Sequence, residues 1–299
     1  MVVSLARHGL TRDGVMSGPP RIFDRALYAR RRGRAADTDF LVRDAAAHMA
    51  ERIEAVNRRF QNALDLSSRD ESFAELRGAA ETWTRTSLSP GGDKIAADEE
   101  ALPFAPRSFD LVTSVLSLHA VNDLPGALIQ IRRALKPDGL FIATLFGGET
   151  LCEMRESFVA GEGEVSGGVT PRVAPFADVR DMGALLQRAG LALPVSDVER
   201  TLVRYREFGS LIHDLRALGE TNALTQRTEK FLRRDVLAAT LAHYRDLFAA
   251  PDGRLSATFD IVYLTGWAPD ESPQKPLPPG SARTRLTDAL RNREFPRTS

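Results

Sequence analysis

Two uniformly apolar runs on either side of one amphipathic helix constrain the fold of this chain most. The runs are residues 109–118 and 140–146. Neither alternates apolar with polar residues, which is typical of strands buried on both faces of a parallel sheet. Between them, apolar residues from Leu124 to Leu135 recur at three- and four-residue steps. The whole segment predicts a βαβ unit with a right-handed crossover.

Strand and helix patterns alternate along the rest of the chain. The last strand alternates apolar with polar or small residues and is expected to be antiparallel. The fold class predicted is therefore α/β, with a mostly parallel sheet. Besides the βαβ unit, strands are expected at 60–66, 81–86, 94–97, 192–204 and 255–267, and helices at 39–56, 69–78, 178–189, 206–218 and 232–249.

The two ends differ in composition from this pattern. Residues 1–20 show no periodicity, and the segment 269–299 is rich in proline. Proline supplies no backbone donor to a sheet or helix interior. We therefore expect a flexible N-terminus, one folded domain over 21–268 and a disordered tail.

Composition excludes several classes of function. Forty basic and forty acidic residues balance, so no net charge attracts the chain to nucleic acid, and no nucleic-acid partner is expected. No apolar run approaches the roughly 20 residues of a transmembrane helix. Cys152 is the only cysteine, which excludes an intramolecular disulfide, and no His, Asp or Glu spacing predicts a metal site. These features indicate the cytoplasm of a bacterium, or the mitochondrial matrix in a eukaryote.

Several motifs together resemble the class I S-adenosyl-L-methionine (SAM) methyltransferases. They lie at 97–104, 109–112, 116–125 and 135–141. Further motifs, at 22–25, 146–155, 173–176, 218–222 and 233–235, are similar to the branch that contains a mitochondrial complex I assembly factor that hydroxylates an arginine. The malonyl-carrier-protein methyltransferases of biotin synthesis are more distant. The resemblance implies a Rossmann-like fold over 21–268, with a helical substrate-covering region within 147–250.

The resemblance also implies a SAM site at the carboxyl ends of the parallel strands. Asp98 and Glu99 would lie beside the adenine, because a carboxylate accepts a hydrogen bond from its exocyclic amine. The methionine end would lie at the turn that follows Asp65. Ser117, at the end of the central strand, completes the set of candidates.

Two parts of the family pattern are altered in this chain. Ser67, Arg69 and Glu71 stand at the three glycine positions after the first strand, where the backbone has to approach the cofactor closely. Thr86, with Arg85 beside it, stands where an acidic residue binds the ribose. Two interpretations stay open. In one, Arg69 binds the methionine carboxylate and Thr86 the ribose; in the other, Arg69 fills the pocket and the fold is a scaffold.

Three residues are candidates for catalysis. His119 ends the central strand, where the imidazole can act as a base or bind substrate. Glu149 follows the βαβ unit, and Glu220 lies between two C-terminal helices. The alternatives are structural: a solvated loop histidine, a helix start and an interhelical loop.

A basic cluster precedes the first long helix. It either docks an acidic partner or membrane surface, or is a solvated segment. The cluster consists of Arg21, Arg25, Arg30, Arg31, Arg32 and Arg34.

Three functions follow from these observations. The first is a SAM-dependent methyltransferase-family protein with a degenerate glycine motif and an unknown acceptor. The second is a complex I assembly factor that hydroxylates an arginine of a respiratory subunit, with Glu149 and Glu220 holding the guanidinium in bidentate fashion. The third is a non-catalytic scaffold. The partner expected is a respiratory complex I subunit or another protein substrate.

Overall fold

The computed structural model describes residues 21–35, 40–89 and 91–270. The predicted flexible segment 1–20 and nearly all of the proline-rich tail lie outside these ranges. Within them, no helix is long and apolar enough to cross a membrane.

Seven strands of the described chain form one sheet in the order β3-β2-β1-β4-β5-β7-β6. Strands β1 to β5 pair in parallel, whereas β7 is antiparallel to both β5 and β6. The predicted fold class, including the antiparallel last strand, is confirmed. The strands are β1 Phe60–Asp65, β2 Ala80–Ser87, β3 Ile95–Ala96, β4 Phe109–Val115, β5 Leu135–Phe146, β6 Ala192–Tyr205 and β7 Leu255–Trp267.

Helices cover both faces of the sheet, as expected for buried parallel strands. The apolar residues of α4 and α6 pack on one face, and those of α2, α5, α7 and α8 pack on the other. The helices are α1 Arg25–Arg32, α2 Phe40–Glu54, α3 Asp70–Leu76, α4 Leu124–Ala134, α5 Cys152–Ser166, α6 Val179–Arg188, α7 Phe208–Ala217 and α8 Arg234–Phe248.

The βαβ unit forms as predicted, with one difference at its second turn. Strand β5 begins at Leu135, five residues before the apolar run. Lys136-Pro-Asp-Gly139 ends α4 as the sequence indicates, yet this segment lies within the strand. Pairing on both sides accounts for this difference. Leu135 is in register with Phe109 of β4, while just after β7 Asp138 N–H donates to the carbonyl of Ala268 (3.0 Å) and Ala268 N–H donates to the carbonyl of Gly139 (2.8 Å).

The carboxyl ends of β1, β2 and β4 lie side by side. Asp65 at the end of β1 is in register with Arg85 of β2 and with Thr113 of β4. The loops after these strands therefore meet at one edge of the sheet, where ligands of open α/β sheets bind.

Helix α1 was not anticipated from the sequence. Asp24 caps it by accepting a hydrogen bond from Leu27 N–H (2.9 Å), and Asp24 N–H donates to the carbonyl of Ala223 (2.8 Å). The helix directs Arg25 and Arg32 inward, and each side chain is only 11% exposed. For these two arginines the interpretation of a solvated segment is wrong, because both side chains find acceptors on the loops at the sheet edge.

Candidate functional site

A cavity of about 540 Å³ lies beside residues 119–120, which follow β4. Helices α1, α5 and α7 and the segment 172–176 form its walls. The lining is mainly apolar, and aromatic rings such as those of Phe158 and Phe176 contribute to it. His119 and Glu220 also line the cavity, so the structure brings two of the three predicted catalytic residues together there.

His119 and Glu220 form a buried pair. His119 Nε2 lies 3.0 Å from Glu220 Oε2, while Oε1 of the same carboxylate accepts from the Tyr28 hydroxyl (2.9 Å) and from Arg32 Nη1 (3.4 Å). Burial by itself disfavours the carboxylate, but His119, Arg32 and Tyr28 together lower the pKa of Glu220 below its ordinary value. Burial raises the pKa of Tyr28, which stays a donor.

Packing fixes the orientation of the His119 ring. Its centroid lies 4.8 Å from that of Phe146 and 5.8 Å from that of Phe176. Nδ1 of His119 is buried and has no hydrogen-bond partner among the described residues. A buried polar atom without a partner is costly, and a bound ligand can supply one.

Glu149 lies apart from this pair. It is exposed, in the turn after β5, and does not line the cavity. The structure therefore does not bring Glu149 and Glu220 together around one guanidinium. No group of three or more His, Cys, Asp or Glu side chains suited to a metal ion occurs in the described ranges.

The turn after β1 keeps one feature of a glycine-rich cofactor loop. Ser67 adopts φ +57°, the left-handed conformation that glycine supplies without strain. Its N–H donates to Thr86 Oγ1 (3.2 Å), and Thr86 Oγ1 donates to the carbonyl of Asp65 (3.2 Å). The hydroxyl of Thr86, predicted to bind a ribose, is thus occupied by backbone groups.

Arg32 connects the turns after β1 and β4. Its Nη2 donates to the carbonyl of Ser67 (2.8 Å), and its Nη1 donates to the carbonyl of Leu116 (2.7 Å). Both carbonyls lie at the carboxyl ends of parallel strands. The guanidinium therefore occupies the edge at which the methionine end of SAM was predicted.

Arg25 binds the carboxylates predicted to recognise adenine. Its Nη2 donates to Asp98 Oδ1 (2.8 Å) and to Glu99, and its Nη1 donates to the carbonyl of Ala120 (3.1 Å). The other oxygen of Glu99 accepts from Ser117 Oγ (2.9 Å). Asp98, Glu99 and Ser117 are thus brought together: Arg25 binds the two carboxylates, and Ser117 donates to Glu99.

Arg69 points towards α7. Its Nη1 donates to the carbonyl of Ala217 (3.2 Å), and its Nε lies 3.8 Å from Glu71 Oε2. The carboxylates of Asp98 and Glu99 are bonded to Arg25, and the carbonyl of Ser67 is bonded to Arg32.

Asp65 is a fully buried carboxyl at this edge. Burial raises its pKa to about 6, although Arg85, with Nε 3.7 Å from Asp65 Oδ2, acts in the opposite direction. Arg85 also contacts Asp70 (2.6 Å) and lies over the ring of Phe73.

The residues of this cleft, as packed, do not fit SAM. Asp98 and Glu99, predicted to accept from the adenine amine of SAM, are paired with Arg25. On the side predicted for the methionine end, Arg32 donates to the carbonyls of Ser67 and Leu116. From the sequence, Arg25 and Arg32 were named only as part of the basic cluster, and their place in the site was missed, as was Tyr28. The signal that identifies them is their spacing, because positions 25, 28 and 32 lie on one face of a helix.

Comparison with known proteins gives the family. A family model described as a methyltransferase domain matches residues 62–143. The mitochondrial arginine hydroxylase NDUFAF5 of Danio rerio is 36% identical over 286 residues, which cover 89% of this chain and 89% of that protein. The chain belongs to the NDUFAF5 arginine-hydroxylase family. The Homo sapiens member is 38% identical over 87% of this chain and 81% of its own length.

More distant relatives confirm the rest of the resemblance. The malonyl-[acyl-carrier protein] O-methyltransferase of Laribacter hongkongensis is 37% identical, over 62% of this chain and 60% of that enzyme. The crystal structure of the YcgJ protein from Bacillus subtilis superposes with a TM-score of 0.51 and 16% identity, over 75% of this chain and 99% of that one. This last likeness shows the fold alone. The chain is thus a methyltransferase-fold member of the NDUFAF5 family.

Proposed function

We propose that the protein is an assembly factor of respiratory complex I, which binds an arginine-containing segment of a complex I subunit in the cavity and serves the hydroxylation of that arginine. One observation carries the proposal. The cavity walls come mostly from α1, α5, α7 and their neighbouring loops, which lie outside the methyltransferase domain at 62–143. The matches to the relatives called arginine hydroxylases cover 87–89% of the chain, so this similarity extends well beyond the methyltransferase domain.

The side chains of the cavity support binding of a guanidinium. The rings of Phe158 and Phe176 offer faces on which a planar cation stacks. Glu220 is ionised and accepts three hydrogen bonds, which leaves one of about four acceptor positions for a substrate. Hydroxylation inserts one oxygen atom of molecular oxygen into a C–H bond, while the other oxygen atom is reduced to water by two electrons and two protons. We assign the supply of oxygen and electrons to a separate component. The part of this chain is to bind and orient the arginine.

A deletion strain tests this function. We expect mass spectrometry of the soluble complex I subunits to find an arginine that carries one extra oxygen atom in the parent strain and lacks it in the deletion strain. The wild-type gene restores the oxygen. Glu220→Gln restores less than Glu229→Gln, a matched change at a carboxylate that also lines the cavity but is 85% exposed. Equal arginine masses in parent and deletion strains contradict the proposal.

This function also bears on location. The relatives named arginine hydroxylases are mitochondrial, which supports the mitochondrial matrix in a eukaryote and, by analogy, the cytoplasm in a bacterium. The chain acts in one of these two compartments.

Methyl transfer from SAM is the second candidate. The match of residues 62–143 to a methyltransferase domain favours it, as do the carboxylates at 98 and 99. The pairing of those carboxylates with Arg25 opposes it. Calorimetric titration with SAM separates the candidates. We expect no saturable heat at millimolar SAM, whereas saturable binding that Asp98→Ala abolishes supports methyl transfer.

A further inference from the structure

Three arginines line the cavity, and two of them have acidic partners. Arg172 Nε lies 2.7 Å from Glu162 Oε1. Arg227 lies 3.6 Å from Asp24 and 3.5 Å from Glu229. Arg31 is different, because it forms no side-chain hydrogen bond or ion pair within the described ranges.

The guanidinium of Arg31 is half-buried, and its Nη1 is fully buried without a partner. Burial lowers the pKa of Arg31, Arg227 and Arg30 act in the same direction, and Asp24 opposes them. The wall of the cavity thus holds a positive charge without a hydrogen-bonded or ion-paired acidic partner among the described residues, on which Asp24 acts only at longer range. A buried donor of this kind costs free energy until an acceptor reaches it.

The remainder of the wall is suited to an apolar body. Leu27, Ile212 and Leu215 line the same cavity as Arg31, and its volume of about 540 Å³ is within the range of small-molecule sites. Glu220, the buried carboxylate of the lining, already has Arg32 as its counterion. Among the described lining residues, Arg31 is therefore the group that an added negative charge would complement.

We propose that the cavity binds a carboxylate at Arg31, carried on an apolar chain that lies against the aliphatic wall. A carboxylate offers two acceptor oxygens that match the parallel N–H groups of a guanidinium. A single negative charge also matches the one arginine of the described lining that has no acidic partner within bonding distance. The carboxylate belongs either to a free aliphatic acid or to an acidic side chain of a bound peptide. This site goes beyond the proposed function, since it does not depend on which residue of a partner is modified.

Ligand selectivity tests the site on the full-length protein. Octanoate is expected to bind saturably, and octan-1-ol, which lacks the charge, at least about tenfold more weakly. Arg31→Gln is expected to weaken octanoate binding by roughly tenfold or more. Arg30→Gln removes the same charge from an exposed position of α1 that does not line the cavity, and should leave binding unchanged.

A blocked peptide, acetyl-Leu-Glu-Leu-amide, identifies the source of the carboxylate. Displacement of octanoate by this peptide supports an acidic side chain as the natural ligand, and failure to displace it supports a free acid. The proposal is overturned if octanoate does not bind at millimolar concentration, or if octanoate and octan-1-ol bind equally. Should Arg31→Gln fail to fold, the comparison of the two ligands on the wild-type chain still decides. The arginine mass measurement is separate, so the two proposals fail independently.

Discussion

At the scale of single residues, Ser67 keeps a glycine conformation without being glycine. Its φ of +57° is strained for an L-residue, and its Oγ is buried without a partner. We therefore expect Ser67→Gly to raise the free energy of unfolding by about 1 kcal/mol in chemical denaturation. Ser68→Gly is the control. Ser68 Oγ accepts from Val115 N–H (3.1 Å), so this change should lower stability. If both variants lose the same free energy of unfolding, backbone strain at Ser67 is contradicted.

Asp65 makes the stability of the protein depend on pH. Its native pKa of about 6 lies above the ordinary value of 3.8, so between these pH values the native state holds a proton that the unfolded state has lost. The contribution of Asp65 to the free energy of unfolding therefore falls as pH rises through this window, by about 3 kcal/mol in all.

Asp65→Asn removes this titration and keeps the shape of the side chain. The variant is expected to gain stability relative to wild type as pH rises from about 4 to 6, measured by denaturation at each pH. Asp70→Asn serves as a control, because the pKa of Asp70 is lowered and its titration lies below this window. Identical pH profiles for wild type and Asp65→Asn contradict the assignment.

At the scale of elements, α5 and α8 meet through a glycine. A Cβ on Gly161 would lie 2.5 Å from Thr240 N and 2.8 Å from Thr240 Cα. Backbone atoms cannot move aside cheaply, so Gly161→Ala is expected to cost about 1–3 kcal/mol of stability.

Gly163 provides the matched control on the same helix. A Cβ there has no atom within 4 Å. Gly163→Ala should therefore raise stability by about 0.5–1 kcal/mol through helix propensity alone. Thermal unfolding of the two variants measures the difference, and a similar melting temperature for both contradicts close packing at Gly161.

Periodicity was sufficient to predict most elements and the mixed sheet. Helix α1 was missed because four of its eight residues are arginines and it has no apolar stripe. Its inward face consists of Arg25, Tyr28 and Arg32. Polar side chains that face inward are recognisable only through their partners. Those partners are distant in sequence: Glu99 lies 74 positions from Arg25, and Glu220 lies 188 positions from Arg32.

At the scale of the whole molecule, the predicted site and the cavity of the structure differ, again because the contacts that decide between them join residues far apart in sequence. The pattern of strands places Asp98, Glu99 and Ser117 at the carboxyl edge of the sheet, because the carboxyl ends of parallel strands lie at the same edge. No local pattern indicates that α1 fills that edge or that the open space lies next to it. The location of the cavity depends on long-range packing of α1, α5 and α7.

We expect the protein to bind its substrate in the cavity rather than in the filled cleft. Ile212 lines the cavity, and Ile212→Trp would reduce its volume. Ile129 on α4 is 51% exposed and outside the lining, so Ile129→Trp is the matched control. Circular dichroism should show that both variants fold.

The decisive measurement is the arginine mass of complex I in the deletion strain that carries each variant. We expect Ile129→Trp to restore the oxygen-bearing arginine to the wild-type level and Ile212→Trp to leave it absent. If a folded Ile212→Trp protein restores the oxygen-bearing arginine fully, the cavity is not the site of substrate binding.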